Sequence, residues 1–157
     1  MNAMSGTDLS LRTLLIAHLA VTWSLAAMIG WIQFVSYPFY RKVEANIFIS
    51  WQRRHLLKAG LIIGPFAGVE AATGLWLAVV LPKEYLIWAW WGLGLIVVNG
   101  VSTFAVQVPL HFRLERGKDL VAIEALIKTN RLRTACWIVR VAVTSGLWPL
   151  LLRGFFQ

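Results

Sequence analysis

A handful of ionisable and amide side chains stand inside stretches of this chain that are otherwise apolar, and they are where chemistry would lie. Glu70 falls near the middle of the apolar run 59–81. An acidic group at the bilayer centre costs about 2.5–3.5 kcal/mol on insertion scales and is expected to face the interior with a partner. His18, Asn99, Thr103 and Arg140 are the candidates. Counted from one membrane face, Arg140 lies about 9 Å deep and Glu70 about 16 Å at ~1.5 Å per residue, so two long side chains can meet. The plain reading is a buried ion pair that fixes helix packing; the functional one makes Glu70 a general base.

The histidines carry a second set of readings. His55 and His111 both fall at one boundary of the apolar runs, and His18 lies toward the other. None stands in an HxxxH or ExxH pattern, so a metal site would have to be non-local, from His55, His111 and Glu70 or Gln107. A bis-histidine haem would need two histidines at matched depth on facing helices, which His55 and His111 offer only at the surface. The plain alternative for each is an interfacial imidazole bonded to a carbonyl or headgroup. Asn130, Arg133, Thr134, Trp137 and Arg140 follow at spacings that put them on one broad helical face. Ordinarily these would be a helix cap, a headgroup contact and a belt tryptophan. Read as a substrate wall, Arg133 and Arg140 would hold an anionic or phenolate-like group against Trp137. Asn99, Thr103 and Gln107 repeat every four residues and make a polar stripe on another helix.

The elements that must position these groups are membrane spans. The chain has 157 residues, 59% hydrophobic, with nine Trp, well above the apolar share of a soluble domain. Four spans, about 11–37, 59–81, 86–110 and 134–152, use up the chain as one all-α transmembrane bundle. The first reads as a retained span, because no Lys or Arg precedes it and its apolar run is too long for a signal sequence. It is predicted to end at Tyr37-Pro38. Residues 38–58 read as a basic connection with a short interfacial helix, and 111–133 as a second connection with a short amphipathic helix. Gly60, Gly64 and Gly68 form a small-residue stripe suited to helix packing, and Pro65 predicts a kink. Leu81 to Glu84 form a tight turn, which makes the flanking spans antiparallel. Trp88, Trp90 and Trp91 read as an interfacial belt. No internal repeat is visible in the sequence.

Charge sets the expected orientation. Eleven of the 15 Lys and Arg fall in the two connections, against Arg12, Lys83 and Arg153 on the other side, which predicts cytoplasmic connections and both termini on the non-cytoplasmic face of a cell (inner) membrane. The net charge of +8 is interrupted by lipid-embedded spans, so it points to anionic headgroups rather than nucleic acid. One cysteine, Cys136, excludes an internal disulfide and a multi-cysteine metal site.

Val108-Pro109-Leu110-His111, Arg116-Gly117-Lys118-Asp119, Thr129-Asn130, Arg133-Thr134, Trp137 and Arg140 together resemble the C-terminal half of the anthrone oxygenase-like family of small four-span membrane proteins. The motif covers about 107–140, and the layout about 14–152. The resemblance implies a four-helix fold and, as in fungal members, oxygenation of a polycyclic phenolic anthrone to a quinone without a tightly bound cofactor. It carries over a polar cluster of His111, Asn130, Arg133, Trp137 and Arg140. Family members often have asparagine shortly after the proline, where this chain has His111, a departure from the family's pattern at that position. The leading expectation is therefore a membrane oxidoreductase acting on a lipophilic aromatic or quinol. His111 or Glu70 would be the base, Arg133 and Arg140 would stabilise negative charge, and Gln107, Asn130 and Trp137 would contact substrate. The alternatives are a metal-dependent enzyme using His55, His111 and Glu70, and a non-catalytic scaffold in a homo-oligomer or larger membrane complex.

Overall fold

The computed structural model describes residues 6–152, with side chains from residue 9, so Arg153 lies outside the described residues. All regular structure among them is helical. Four stretches are long and apolar enough to cross a membrane: Leu9–Tyr40, Ala45–Val80, Lys83–Leu114 and Leu120–Leu152. They are called the first to fourth spans here. The first packs on the second and fourth, and the third packs on the same two, so each span has two neighbours in a four-helix bundle. Large apolar side chains such as Trp31, Phe34, Leu61, Val79, Trp90, Phe104 and Ile138 point outward, where hydrocarbon rather than water would meet them.

The spans are longer than the hydropathy suggests because the basic connections are largely helical. The helix Ala45–Val80 is continuous from the predicted connection through Pro65. Leu120–Ser145 likewise absorbs the second connection, with Asp119 as its N-cap accepting from the Ala122 amide at 3.1 Å. Asn130, a candidate cap from the sequence, is therefore mid-helix. The charged residues of 45–58 and 120–133 resemble loop, but Phe48, Gln52, Ile123 and Leu126 recur on the inward face and are fully buried, and tertiary burial decides for helix. Only 41–44 and 115–119 remain as turns at this end. Lys118 ties them together, donating to the carbonyls of Arg41 at 2.9 Å and Val43 at 2.6 Å. Arg41 pairs with Glu124 and Arg113 with Asp119, each at 2.6 Å.

Proline does not end the first span. A π turn, Ile32–Ser36, closes with the Tyr37 amide on the Ile32 carbonyl, and helix resumes at Tyr37–Tyr40 through Pro38. The third span repeats the device: Thr103–Gln107 is a π turn, the Val108 amide reaches the Thr103 carbonyl, and Pro109 follows. A widened turn accommodates a ring that would otherwise collide with the carbonyl four residues back. The recurrence is structural, and no sequence similarity advertises it. Its consequence is local: Gln33 and Gln107, one in each π turn, are turned inward and buried.

The apolar core is concentrated at the two ends. Leu15, Leu19, Leu77, Leu81, Tyr85, Leu147 and Leu151 pack at one, and Tyr37, Tyr40, Phe48, Leu114, Ile123 and Leu126 at the other. Between them the buried apolar cluster thins to Leu25, Ile29 and Trp137. That middle layer holds the polar groups.

Candidate functional site

Two buried arginines on the fourth span, two helical turns apart, define two very different environments. Every side-chain nitrogen of Arg140 has a partner. Its Nε donates to Glu70 Oε1 at 2.6 Å, its Nη1 to the Gly92 carbonyl, and its Nη2 meets His18 Nε2 at 3.2 Å. The Thr73 hydroxyl donates to the Val69 carbonyl at 2.8 Å and so accepts from His18 Nδ1, also at 2.8 Å. His18 therefore presents a bare Nε2 to the arginine. Thr22 adds a 2.9 Å donor to Glu70 Oε1. The Arg140 and Glu70 side chains are 1% and 2% exposed, and a Cβ on Gly92 would lie 3.0 Å from Arg140 Nη1, so glycine is what lets the guanidinium reach the backbone. All four spans contribute, and the charges cancel. Of the partners expected for Glu70, Arg140 is the one realised; Thr22, Thr73 and Gly92 give no signal in the sequence beyond being small or polar within apolar runs.

Arg133 is the opposite case. It is 9% exposed, and its Nη1 donates to Asn130 Oδ1 at 3.0 Å. Asn130 Nδ2 donates to Gln33 Oε1 at 2.9 Å, and Gln33 Nε2 to the Ile127 carbonyl at 3.3 Å. The guanidinium also interacts with the Tyr37 hydroxyl. These are neutral partners. No carboxylate among the described residues pairs with Arg133, whereas Arg41, Arg113 and Arg140 each have one. Its Nε has no acceptor at all.

Arg133 lies on the wall of a cavity of about 460 Å³, within the size range of small-molecule sites. Most of the wall is apolar, from Leu25, Ile29, Ile63 and Ile96 among others, with Trp137, Asn99, Thr103, Gln107, Tyr37, His111, His55 and Glu70 interspersed. Three buried polar atoms of residues around it lack partners, Arg133 Nε, Trp137 Nε1 and Asn99 Oδ1, and none of the three is open to the cavity. The cavity lies where the second and third spans part. They meet at Gly74, whose Cβ would be 3.4 and 3.5 Å from Ile96 and Leu93. Toward His55 and His111 the wall is formed by Gly60, Gly64 and Ala67 on one side and Gly100, Thr103 and Phe104 on the other. A Cβ on Gly60, Gly64 or Gly68 would meet nothing within 4 Å. The expected glycine packing stripe is thus not used within the chain. No helix among the described residues covers it, and Gly60 and Gly64 instead border an opening at the outer face of the bundle.

A hydrogen-bonded chain borders the cavity at the basic end. Gln52 Nε2 donates to His111 Nδ1 at 3.0 Å, so Nε2 carries the proton toward the Tyr37 hydroxyl at 3.2 Å. Tyr37 donates to Gln107 Oε1 at 3.2 Å, and Gln107 Nε2 to Thr129 at 2.8 Å. Tyr40 packs edge-on to His55, which stacks on Trp51. Gln52 Oε1 and the Tyr40 hydroxyl are buried without partners. Tyr37 and Gln52 are not legible as site residues in the sequence; a phenol at the end of an apolar run and an amide within a basic stretch are the signals available.

His55, His111 and Glu70 all touch the cavity, yet no group of three or more His, Cys, Asp or Glu among the described residues is placed to hold a metal ion. The metal set read from sequence is not assembled: His111 is occupied by Gln52 and Tyr37, and Glu70 by Arg140 and Thr22. Gln107, Arg133, Trp137 and His111 are brought together around one space, Asn130 stands behind Arg133, and Arg140 belongs to the other environment. No family model, no curated protein and no solved structure matches this chain, so the site has to be read from its own chemistry.

Proposed function

We propose that this protein is a multi-pass membrane enzyme of the oxygenase kind, acting on a lipophilic phenolic or quinol-like molecule that enters the cavity sideways from the bilayer. The observation that carries this is the buried Arg133 guanidinium, without a carboxylate partner among the described residues, on the wall of an otherwise apolar cavity that Trp137, Gln107, Tyr37 and His111 also line. A buried charge without a countercharge is costly, and a ligand that supplies negative charge recovers that cost on binding. The bundle runs up and down with both termini on the non-cytoplasmic side. The basic turns at 41–44 and 115–119 then lie at the cytoplasmic face, as the positive-inside rule requires.

In this reading His111 is the proton acceptor. Turning the Gln52 amide so that its Oε1, otherwise without a partner, accepts Nδ1–H shifts His111 to the tautomer whose bare Nε2 takes a proton relayed by the Tyr37 hydroxyl, with Gln107 beside that path. Removal of an acidic C–H proton leaves an anion whose charge Arg133 and Trp137 hold. Its electron pair reduces dioxygen at that carbon to a peroxide, and loss of water leaves a carbonyl. One dioxygen is consumed per turnover, with one oxygen atom retained in the quinone and the other released as water. Glu70 and Arg140 take no chemical part, because each neutralises the other.

The test is oxygen uptake by the detergent-purified chain supplied with anthrone, alongside quinone absorbance. Wild-type protein is expected to consume one dioxygen per quinone formed. Arg133→Met and His111→Ala are each expected to lower the rate by about 100-fold or more, as loss of a charge stabiliser or a base does. Equal rates in all three proteins would remove the proposal.

A further inference from the structure

A second recess lies between the first and fourth spans at the basic end, and it shares no lining residue with the larger cavity. It measures about 530 Å³, with Arg41 and Arg131 beside an apolar stretch of Phe34, Ile127, Ala135 and Ile138. Gln33 belongs to its wall and holds the two spans together there, donating to the Ile127 carbonyl at 3.3 Å and accepting from Asn130 at 2.9 Å. Arg41 and Arg131 are both exposed. Arg41 gives Nε and Nη2 to Glu124 at 2.6 and 2.7 Å, which leaves its Nη1 without a partner among the described residues. Arg131 lies in the field of Glu124, but no carboxylate of the described residues pairs with it. Two guanidiniums against one carboxylate leave one positive charge at the recess.

The depth of that charge suits a lipid. Counted back from Leu152, about 20 residues at ~1.5 Å each cross the ~30 Å hydrocarbon layer, which puts its other boundary beside Arg131. Side chains lean toward the N-terminus of their helix, which for Leu120–Ser145 is the basic end, so Arg131 directs its charge out of the hydrocarbon and toward Arg41. Phe34, Ala135 and Ile138 are left exposed at acyl-chain depth. We infer that this recess is a discrete site for a monoanionic phospholipid, its phosphodiester held by Arg131 and by Arg41 Nη1 and one acyl chain laid along Phe34, Ala135 and Ile138. The guanidinium fork matches phosphate oxygens. One phosphodiester balances the residual charge, and Glu124 is already taken by Arg41, so a lipid whose headgroup is an uncharged diol fits better than a zwitterionic one. The site is independent of what the larger cavity binds.

The test is native mass spectrometry of the full chain in an uncharged detergent, titrated separately with dioleoyl phosphatidylglycerol and dioleoyl phosphatidylcholine, which share their acyl chains and differ in net charge. One phosphatidylglycerol per chain should be retained about 10-fold or more tighter than phosphatidylcholine, as a charge-assisted hydrogen bond supplies. Arg131→Gln should remove that preference. Arg53→Gln, which deletes the same charge from an exposed position on the second span outside the recess, should keep it. Ala135→Trp fills the apolar part while retaining both arginines; it should weaken phosphatidylglycerol, and it decides the matter if Arg131→Gln fails to fold. Excess inorganic phosphate should not displace the lipid. Equal retention of the two lipids, or unchanged binding in Ala135→Trp, would overturn the inference. So would equal losses in Arg53→Gln and Arg131→Gln, which would mean a diffuse surface attraction, and so would displacement by phosphate, which would mean an anion site indifferent to acyl chains.

Discussion

Arg133 and Arg140 sit on one helix, both buried, and the space around them could hardly differ more. Around Arg140 the wall closes on the guanidinium, with Gly92 reduced to a hydrogen atom so that the Gly92 carbonyl can be reached, and little room remains beyond the side chains. Around Arg133 there is a cavity of about 460 Å³ and three polar atoms with nothing to bond. A buried charge whose partners all come from the chain fixes the arrangement of helices; a buried charge whose partners are incomplete is placed for something that arrives later. The contrast separates scaffold from site in a protein where both are built from the same residue type.

The largest expected effect breaks the closed half. Glu70→Gln leaves Arg140 as an uncompensated buried charge and should cost about 3–5 kcal/mol, read from thermal unfolding in detergent; combining it with Arg140→Met should recover most of that loss. Arg133→Met should do the reverse, leaving stability without ligand unchanged or raised, because it removes a charge the chain never balanced. Equal destabilisation by Glu70→Gln and Arg133→Met would erase the distinction between the two halves.

Glycines sharpen the comparison further. Gly92→Ala puts a methyl group 3.0 Å from Arg140 Nη1 and should cost about 1–3 kcal/mol, as overpacking does. Gly64→Ala meets no atom within 4 Å and should stabilise by about 0.5–1 kcal/mol through helix propensity. Both are read from the same unfolding curves, and a loss at Gly64 would mean that the mouth of the cavity is packed after all.

The smallest effect lies at the basic face. The Ala122 amide, with Arg113 beside it, holds the Asp119 carboxyl below its ordinary value of 3.8. Its contribution is therefore fully present above that value and is lost as the pH falls through the lower, folded one. Asp119→Asn should flatten that part of the acid limb of the unfolding profile and leave the neutral range nearly unchanged. An unaltered acid limb would show that the cap carries no pH-dependent stability.

Four spans and a Glu70–Arg140 encounter are legible in the sequence, because hydropathy and residue depth are one-dimensional quantities. The cavity is not. It depends on the second and third spans parting above Gly74, a feature of helix trajectory. Gln107 is legible as inward from its four-residue spacing with Asn99 and Thr103, whereas Gln33, inside a π turn of the first span, has no such stripe to announce it. The basic stretches 45–58 and 120–133 look like connections in the sequence because their charges mask a buried stripe through Phe48, Gln52, Ile123 and Leu126. Gly60 and Gly64 look like a packing face because small residues leave room for either a helix or a ligand, and spacing alone does not say which.

The most direct measurement is a crystal structure of the full chain grown from lipid with anthrone present. The expected result is a fused ring in the cavity between the second and third spans, with an oxygen facing the Arg133 guanidinium. An empty cavity, or Arg133 swung onto a carboxylate of the chain with no ligand beside it, would contradict the claim that this half of the bundle is completed from outside.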